Sequence, residues 1–288
     1  MRIEEKCSKF CWSRSAGFNC SKFVVTINLK RKIFFNLSPY QPLMIALILA
    51  AGKGTRLRPL SYFIPKILLP VRGEPVLSHL LANLEGIELE TIYIVASENI
   101  EIINNYLEKT NQDNVKVIKG LGWETGGDLS LAIEEANITK DLIVMNGDLI
   151  TDIKIKELVE AHKANKNHCT ISVFELNDQE EAKRFGSIDM NSDNLITKFS
   201  EKKDSDIKIP ALVNTGFYVI GDKILSERSK YFTPRKFRLE TEFFPALAKE
   251  GKLKGVISKV TYWWDVGTIE SYLNAENYMI NKKGVVPP

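Results

Sequence analysis

Cysteine and histidine are scarce in this 288-residue chain, which has four of one and three of the other. Cys7, Cys11 and Cys20 fall within the first twenty residues, and Cys169 stands alone in an apolar run. That is no disulfide framework, so a reducing compartment, the cytoplasm, is expected. The first three cysteines have no nearby fourth ligand at a finger spacing and read as incidental thiols rather than a zinc site. His79, His162 and His168 are scattered; a His168–Cys169 metal pair can be drawn but has nothing further to recommend it. No run approaches the roughly 20 apolar residues of a membrane span. The longest, LMIALILAA (43–51), has a strand's length, so no membrane partner is expected. Internal repeats, hexapeptide periods and low-complexity tracts are missing, which excludes solenoids and a left-handed β-helix.

A strong charge of one sign is also missing. The net charge is +3, but residues 1–43 hold eight Lys/Arg against two acids, which leaves residues 44–288 at −3. A mildly acidic body gives no footprint for nucleic acid. In the basic start, Lys22, Lys30, Arg31 and Lys32 bracket the short run FVVTINL, so a clean signal-peptide core is absent. Residues 1–43 are expected to form an extension outside the fold, with Met44 as an alternative start. A basic, Ser-containing targeting peptide is the other reading. Residues 282–288 read as a C-terminal tail, and the oligomeric state is open, a homo-oligomer included.

What is present is a chain 44% apolar, ample for a packed core. From Met44, Ile/Val-rich runs at 44–50, 91–97, 115–119 and 141–147 alternate with amphipathic stretches at 75–84, 99–109 and 128–136. That alternation predicts parallel strands joined by crossover helices. The stripe Ile102, Ile103, Tyr106 and Leu107 is expected to face the core. After about residue 165, strand-like pieces follow quickly at 169–176, 186–190, 195–201 and 212–220, predicting a mixed sheet over one end of the first. A helix at 240–249, a strand at 253–258 and a helix at 269–280 complete the α/β domain, 44–281.

The chemistry begins at LILAAGKGTRLRPL (47–60), where an apolar strand runs into glycines and cations. Such a turn usually offers backbone N–H groups to phosphate. It is not a dinucleotide fingerprint, since Leu57 stands where a third glycine belongs, nor a P-loop, since Gly54 follows Lys53. A kinase loop would need partners the chain does not supply.

The longer pattern Gly-x-Gly-Thr-Arg-Leu-x-Pro-Leu, continued by IPKILLPVRGEPVL (64–77), resembles the sugar-1-phosphate nucleotidyltransferases. TGG (125–127), NGD (146–148), FG (185–186), FSEK (199–202), VNTGFY (213–218) and WDVGT (264–268) extend the resemblance over 44–281. It implies the nucleotide-diphospho-sugar transferase fold: a Rossmann-like mixed, mainly parallel sheet flanked by helices, with a smaller sugar-binding β region. The implied substrates are a nucleoside triphosphate and a sugar 1-phosphate, and the implied cofactor is Mg²⁺.

By that resemblance Ala51, Gly52, Gly54 and Thr55 wrap the triphosphate, Arg56 holds the leaving phosphates, and Lys66 reaches the α-phosphate. Asp148 and Asp265, 117 positions apart, become the metal ligands. Gly186, Glu201, Lys202 and Asn214 are assigned to the sugar phosphate, with Phe185 where Tyr is usual. One of Arg235, Lys236 and Arg238 is expected to join them. The TGG stretch looks most like guanylyltransferases acting on mannose or heptose 1-phosphate, with Gly126 and Glu124 on the nucleotide. Glu124 replaces the usual glycine and either accepts from guanine or faces solvent. A cytidylyl-, thymidylyl- or uridylyltransferase, choline-phosphate type included, and a non-catalytic regulatory subunit are the rival readings. Lys53 and Arg58 are expected to face solvent.

Overall fold

The computed structural model describes residues 43–165, 168–185, 187–200 and 208–282. Gly186, Glu201 and Lys202, residues 1–42 of the expected extension and residues 283–288 of the tail lie outside the described residues.

In chain order come β1 (Met44–Leu49), the short pair β2 (Pro70–Val71) and β3 (Glu74–Pro75), α1 (Val76–Ala82), β4 (Leu89–Ala96), α2 (Ile100–Lys109), β5 (Val115–Lys119) and α3 (Glu124–Glu135). Next are β6 (Leu142–Asn146), β7 (Leu149–Thr151), α4 (Ile155–Asn165), β8 (Cys169–Leu176), α5 (Gln179–Phe185), β9 (Ser187–Met190) and β10 (Ile196–Ser200). The chain continues through β11 (Ala211–Ile220), α6 (Asp222–Ser226), α7 (Arg228–Tyr231), α8 (Phe244–Lys249), β12 (Leu253–Ile257), β13 (Trp263–Asp265) and α9 (Ile269–Lys282).

The main sheet has the order β10-β9-β11-β6-β1-β4-β5, with β8 paired to β11 and β12 parallel to β8. β1 runs parallel to both β4 and β6. It is apolar at every position because both its faces are covered. Met44, Ala46 and Ile48 pack with α1, α2, α4 and α9, while Ile45 and Leu47 pack with α3 and α8. The chain winds from β1 outward to β4 and β5 and then returns to β6 on the other flank, a topological switch point. Ligands of open α/β sheets bind at the carboxyl ends of the strands beside such a point.

The strands after residue 168 continue this sheet instead of covering its end, because β11 bonds antiparallel to β6 through Phe217–Met145 to Ile220–Leu142. Ile102 is 41% exposed, leaving Ile103 and Leu107 as the buried face of α2. The helix expected over 240–249 opens with a π turn, Leu239–Phe243, before α8 begins. α4, which buries Ile155, Leu158 and Val159, was not anticipated. Among the described residues no helix is long and apolar enough to cross a membrane.

Candidate active site

The loop after β1 is shaped by two fixed points. Gly54 takes a left-handed backbone, φ 58°, and its carbonyl accepts from Leu57 N (2.9 Å) and Ser61 Oγ (2.8 Å). Leu57 is fully buried and pins the far side. Thr55 and Arg56 between these anchors and Gly52 before them reach the surface, while Ala51 is buried and its carbonyl accepts from Ser97 Oγ at 2.7 Å. A Cβ added to Gly52 would meet nothing within 4 Å, so the protein itself does not require glycine there. Lys53 is exposed and 3.8 Å from Glu98, and Arg58 is exposed with its guanidinium over the Tyr62 ring.

Asp148 follows Asn146 and Gly147 in the turn leaving β6. Gly147 N donates to Leu49 O at 2.9 Å, and a Cβ on Gly147 would sit 2.7 Å from that same oxygen, so only glycine fits. The turn is thereby locked onto the end of β1. Asp265 arrives from the other end of the chain: β13 pairs antiparallel with β7, setting Asp265 opposite Leu149. Val266 N donates to Asp148 O at 2.8 Å. This ribbon is what makes neighbours of two aspartates so distant in sequence. Lys66 Nζ lies 2.6 Å from Asp148 Oδ2, both side chains being partly buried. Beside Gly267, Asp265 Oδ2 and Arg56 Nη2 both come within 3.3 Å of the position a Cβ would take. Arg56, Lys66, Asp148 and Asp265 thus converge at the switch point.

The TGG stretch lies in the first turn of α3, where it seats the segment 235–240. Gly126 N and Gly127 N both donate to Phe237 O (3.0 and 3.2 Å), and Phe237 N donates to Trp123 O. A Cβ on Gly126 would collide with the Phe237 ring, and one on Gly127 with Arg235 O. Gly126 is therefore buried and its N–H is spent inside the protein, which gives this glycine a packing duty. Thr125 Oγ1 donates to Glu240 (2.9 Å) and accepts from Leu239 N (3.0 Å). Glu124 is exposed with φ 64°, the left-handed region that suits the glycine it replaces. Its carboxylate lies 3.8 Å from Lys236 Nζ and 4.0 Å from Arg238 Nε. Arg235 is engaged with Glu242, whose hydrogen bond raises the guanidinium's pKa, and stacks over Phe237.

Asn214 sits where β11 slips register before Tyr218. Its Oδ1 accepts from Gly216 N (2.8 Å) and its Nδ2 donates to Tyr218 Oη (3.1 Å). Burial pushes the Tyr218 phenol well above its usual range, and the Glu240 and Asp148 carboxylates add to the shift. Trp263 Nε1 donates to Thr215 O (2.9 Å), and the ring packs on Phe174 and Phe185. Tyr218 was visible inside VNTGFY, but nothing in the sequence set it against Asn214. Cys169 is fully buried and its thiol is pushed far up by desolvation, which removes the thiolate a His168–Cys169 metal pair needs. No group of three or more His, Cys, Asp or Glu suited to a metal occurs among the described residues.

The family model described as nucleotidyl transferase matches residues 45–282. The bifunctional protein GlmU of Methanococcus maripaludis is 30% identical over 241 residues, covering 83% of this chain and 55% of its own. The chain thus spans about half the length of such relatives. Mannose-1-phosphate guanylyltransferase of Mycobacterium tuberculosis is 29% identical over 250 residues, 84% of this chain and 66% of its own. Among solved structures, HddC from Yersinia pseudotuberculosis complexed with GMP-PN has a TM-score of 0.63 at 28% identity, covering 82% of this chain and 99% of its own.

Proposed function

The chain belongs to the nucleotidyl transferase family, and we propose that it is a Mg²⁺-dependent sugar-1-phosphate nucleotidyltransferase of the cytoplasm. The observation that carries this reading is the β7–β13 ribbon, by which Asp148 and Asp265 meet Lys66 and Arg56 at the switch point of the sheet.

In the proposed reaction an oxygen of the sugar 1-phosphate attacks the α-phosphorus of the nucleoside triphosphate. The new P–O bond forms as the bond to the β-phosphate oxygen breaks, and the electron pair leaves with pyrophosphate. Two anions must be held together, so positioning and charge stabilisation do most of the work. Backbone N–H groups of 51–55 take the triphosphate, with Gly52 letting a phosphate approach closely. Arg56 presents a planar fork to the leaving phosphates. Lys66, held by Asp148 in the free protein, turns to the α-phosphate as charge grows there. Two neighbouring carboxylates fit magnesium, which takes one or two carboxylates with phosphate oxygens and water; bound there it neutralises phosphate charge. Asn214, Gly186, Glu201 and Lys202 are assigned to the sugar phosphate.

The guanine preference draws support from the relative named as a guanylyltransferase and the neighbour solved with GMP-PN. The acceptor in this proposal is a mannose- or heptose-type 1-phosphate. A panel of sugar 1-phosphates and phosphocholine against GTP, UTP, CTP and dTTP, read as pyrophosphate release, tests it. The expected result is release with GTP and a mannose- or heptose-type acceptor. Release only with CTP and phosphocholine would replace the sugar, and silence from every pair would favour a regulatory subunit.

A further inference from the structure

The β7–β13 ribbon is three residues a side, too short to hold itself together in water. Continued one step beyond Asp265, its register sets Val266 opposite Asp148, where Val266 N donates to Asp148 O at 2.8 Å. Continued one step beyond Trp263, it sets Tyr262 opposite Asp152, and there a side chain closes the end. The Asp152 carboxylate accepts from the backbone N–H of Thr261 (3.0 Å), from that of Tyr262 (3.4 Å) and from the Thr261 hydroxyl. Thr151 Oγ1 donates to Tyr262 O at 2.9 Å, and Tyr278 Oη of α9 donates to Thr261 O at 3.3 Å.

An ionised acceptor makes the stronger kind of hydrogen bond, and three donors of one turn converge on this one. Four residues of extended chain put Asp152 about 13 Å along the strand from Asp148, out of reach of whatever the aspartate pair holds. Its grip acts through the backbone. Turn 261–262 fixes where β13 begins, and the start of β13 fixes which residue faces Leu149. A slip of one residue would turn the Asp265 side chain to the opposite face of the ribbon.

We propose that Asp152 is a positioning residue for the Asp148–Asp265 pair, a clasp that keeps Asp265 in register with Asp148. This rests on the function proposed above, which gives the pair its use. Without the clasp the ribbon opens part of the time, and only the closed fraction offers a cation both carboxylates. The apparent dissociation constant then rises in inverse proportion to that fraction, and a high cation concentration restores closure.

In the full chain, Asp152→Ala should raise the Mg²⁺ concentration for half-maximal pyrophosphate release about tenfold, as a closed fraction of about one tenth requires. Turnover should recover as Mg²⁺ is raised. Asp152→Asn keeps one oxygen for the two backbone donors and should show a smaller rise. A role in global stability alone would lower the melting temperature and leave the Mg²⁺ requirement of the folded enzyme where it was. An unchanged requirement in Asp152→Ala, or a loss that Mg²⁺ does not recover, overturns the proposal. Amide hydrogen exchange gives a readout independent of turnover and of metal. The Val266 amide should exchange about tenfold faster or more in Asp152→Ala while the amides of β1 keep their wild-type rates. Equal Val266 rates, or a uniform rise across the sheet, overturn the clasp. Should Asp152→Ala not fold, Thr261→Val removes one donor to the carboxylate and carries the same test, in which an unchanged Val266 rate is refuting. A chain inactive with every substrate pair sinks the function proposed above, and Val266 exchange still decides the clasp.

Discussion

Gly216→Ala is the sharpest test of how the site is held. The residue has φ 86°, and a Cβ there would lie 2.7 Å from Leu149 Cδ1, 2.9 Å from Asn146 Nδ2 and 3.2 Å from Asn146 Cβ. The left-handed backbone costs about 1–2 kcal/mol for an alanine. Forcing a methyl into a filled site adds about 1–3 kcal/mol, and the stiffer unfolded chain returns about 0.4–1 kcal/mol. The net loss centres on about 3 kcal/mol, a melting temperature lower by about 6–12 °C for a chain of this size. Because the displaced side chains flank the Gly147–Asp148 turn, kcat at 25 °C on the still-folded enzyme should also drop, by about tenfold or more. Gly251→Ala is the control: its φ is 66° but nothing lies within 4 Å, so it should show the backbone cost of about 1–2 kcal/mol and normal turnover. Thermal unfolding with pyrophosphate release on the same samples decides. A Gly216→Ala protein melting within about 2 °C of wild type, with wild-type kcat, would refute the wedge.

Gly52→Ala should leave the melting temperature nearly unchanged, because its Cβ enters open space, yet raise KM for the nucleotide; an unaltered KM would remove the phosphate from this loop. Asp148→Asn and Asp265→Asn should each abolish Mg²⁺-dependent pyrophosphate release, and near-normal turnover in either would end the metal assignment. Arg56→Ala should slow turnover by roughly 10² or more if it stabilises developing charge; a loss confined to protein yield would point to folding. His162 is buried, 2.8 Å from Thr170 Oγ1, and desolvation lowers its pKa against the pull of Asp141 and Asp222. The unfolded chain therefore takes up a proton near about pH 6.5 that the folded one refuses, and stability should decline as pH falls below that point. His162→Gln should flatten the decline in denaturant midpoints between about pH 6.5 and 5, and parallel profiles for the two proteins would contradict this.

The central strands Met44–Leu49 and Leu142–Asn146 were legible because burial on both faces makes them nearly unbroken apolar runs, and the bounds of Val115–Lys119 and Cys169–Leu176 agree to the residue. The site's residue types were legible as a motif, but their meeting was implied by the resemblance alone and not by the residues themselves. Nothing in NGD or WDVGT specifies that β7 and β13 pair, since three-residue strands carry no periodic signal. Gly126 was assigned to the nucleotide by resemblance alone, and sequence does not say that Phe237 is what approaches the glycines of TGG. Ile102 was misplaced because an apolar stripe on a short helix is wider than the face its neighbours cover.

The β7–β13 ribbon also sets a schedule. Asp148 leaves the ribosome 117 residues before Asp265, roughly 6–25 s earlier at about 5–20 residues per second. During that interval a growing chain can already carry the glycine loop, Lys66 and one carboxylate, but not the pair. The proposed catalytic centre is thus a late long-range closure, and a partly made chain would hold its cations and first aspartate without the partner that completes the pair.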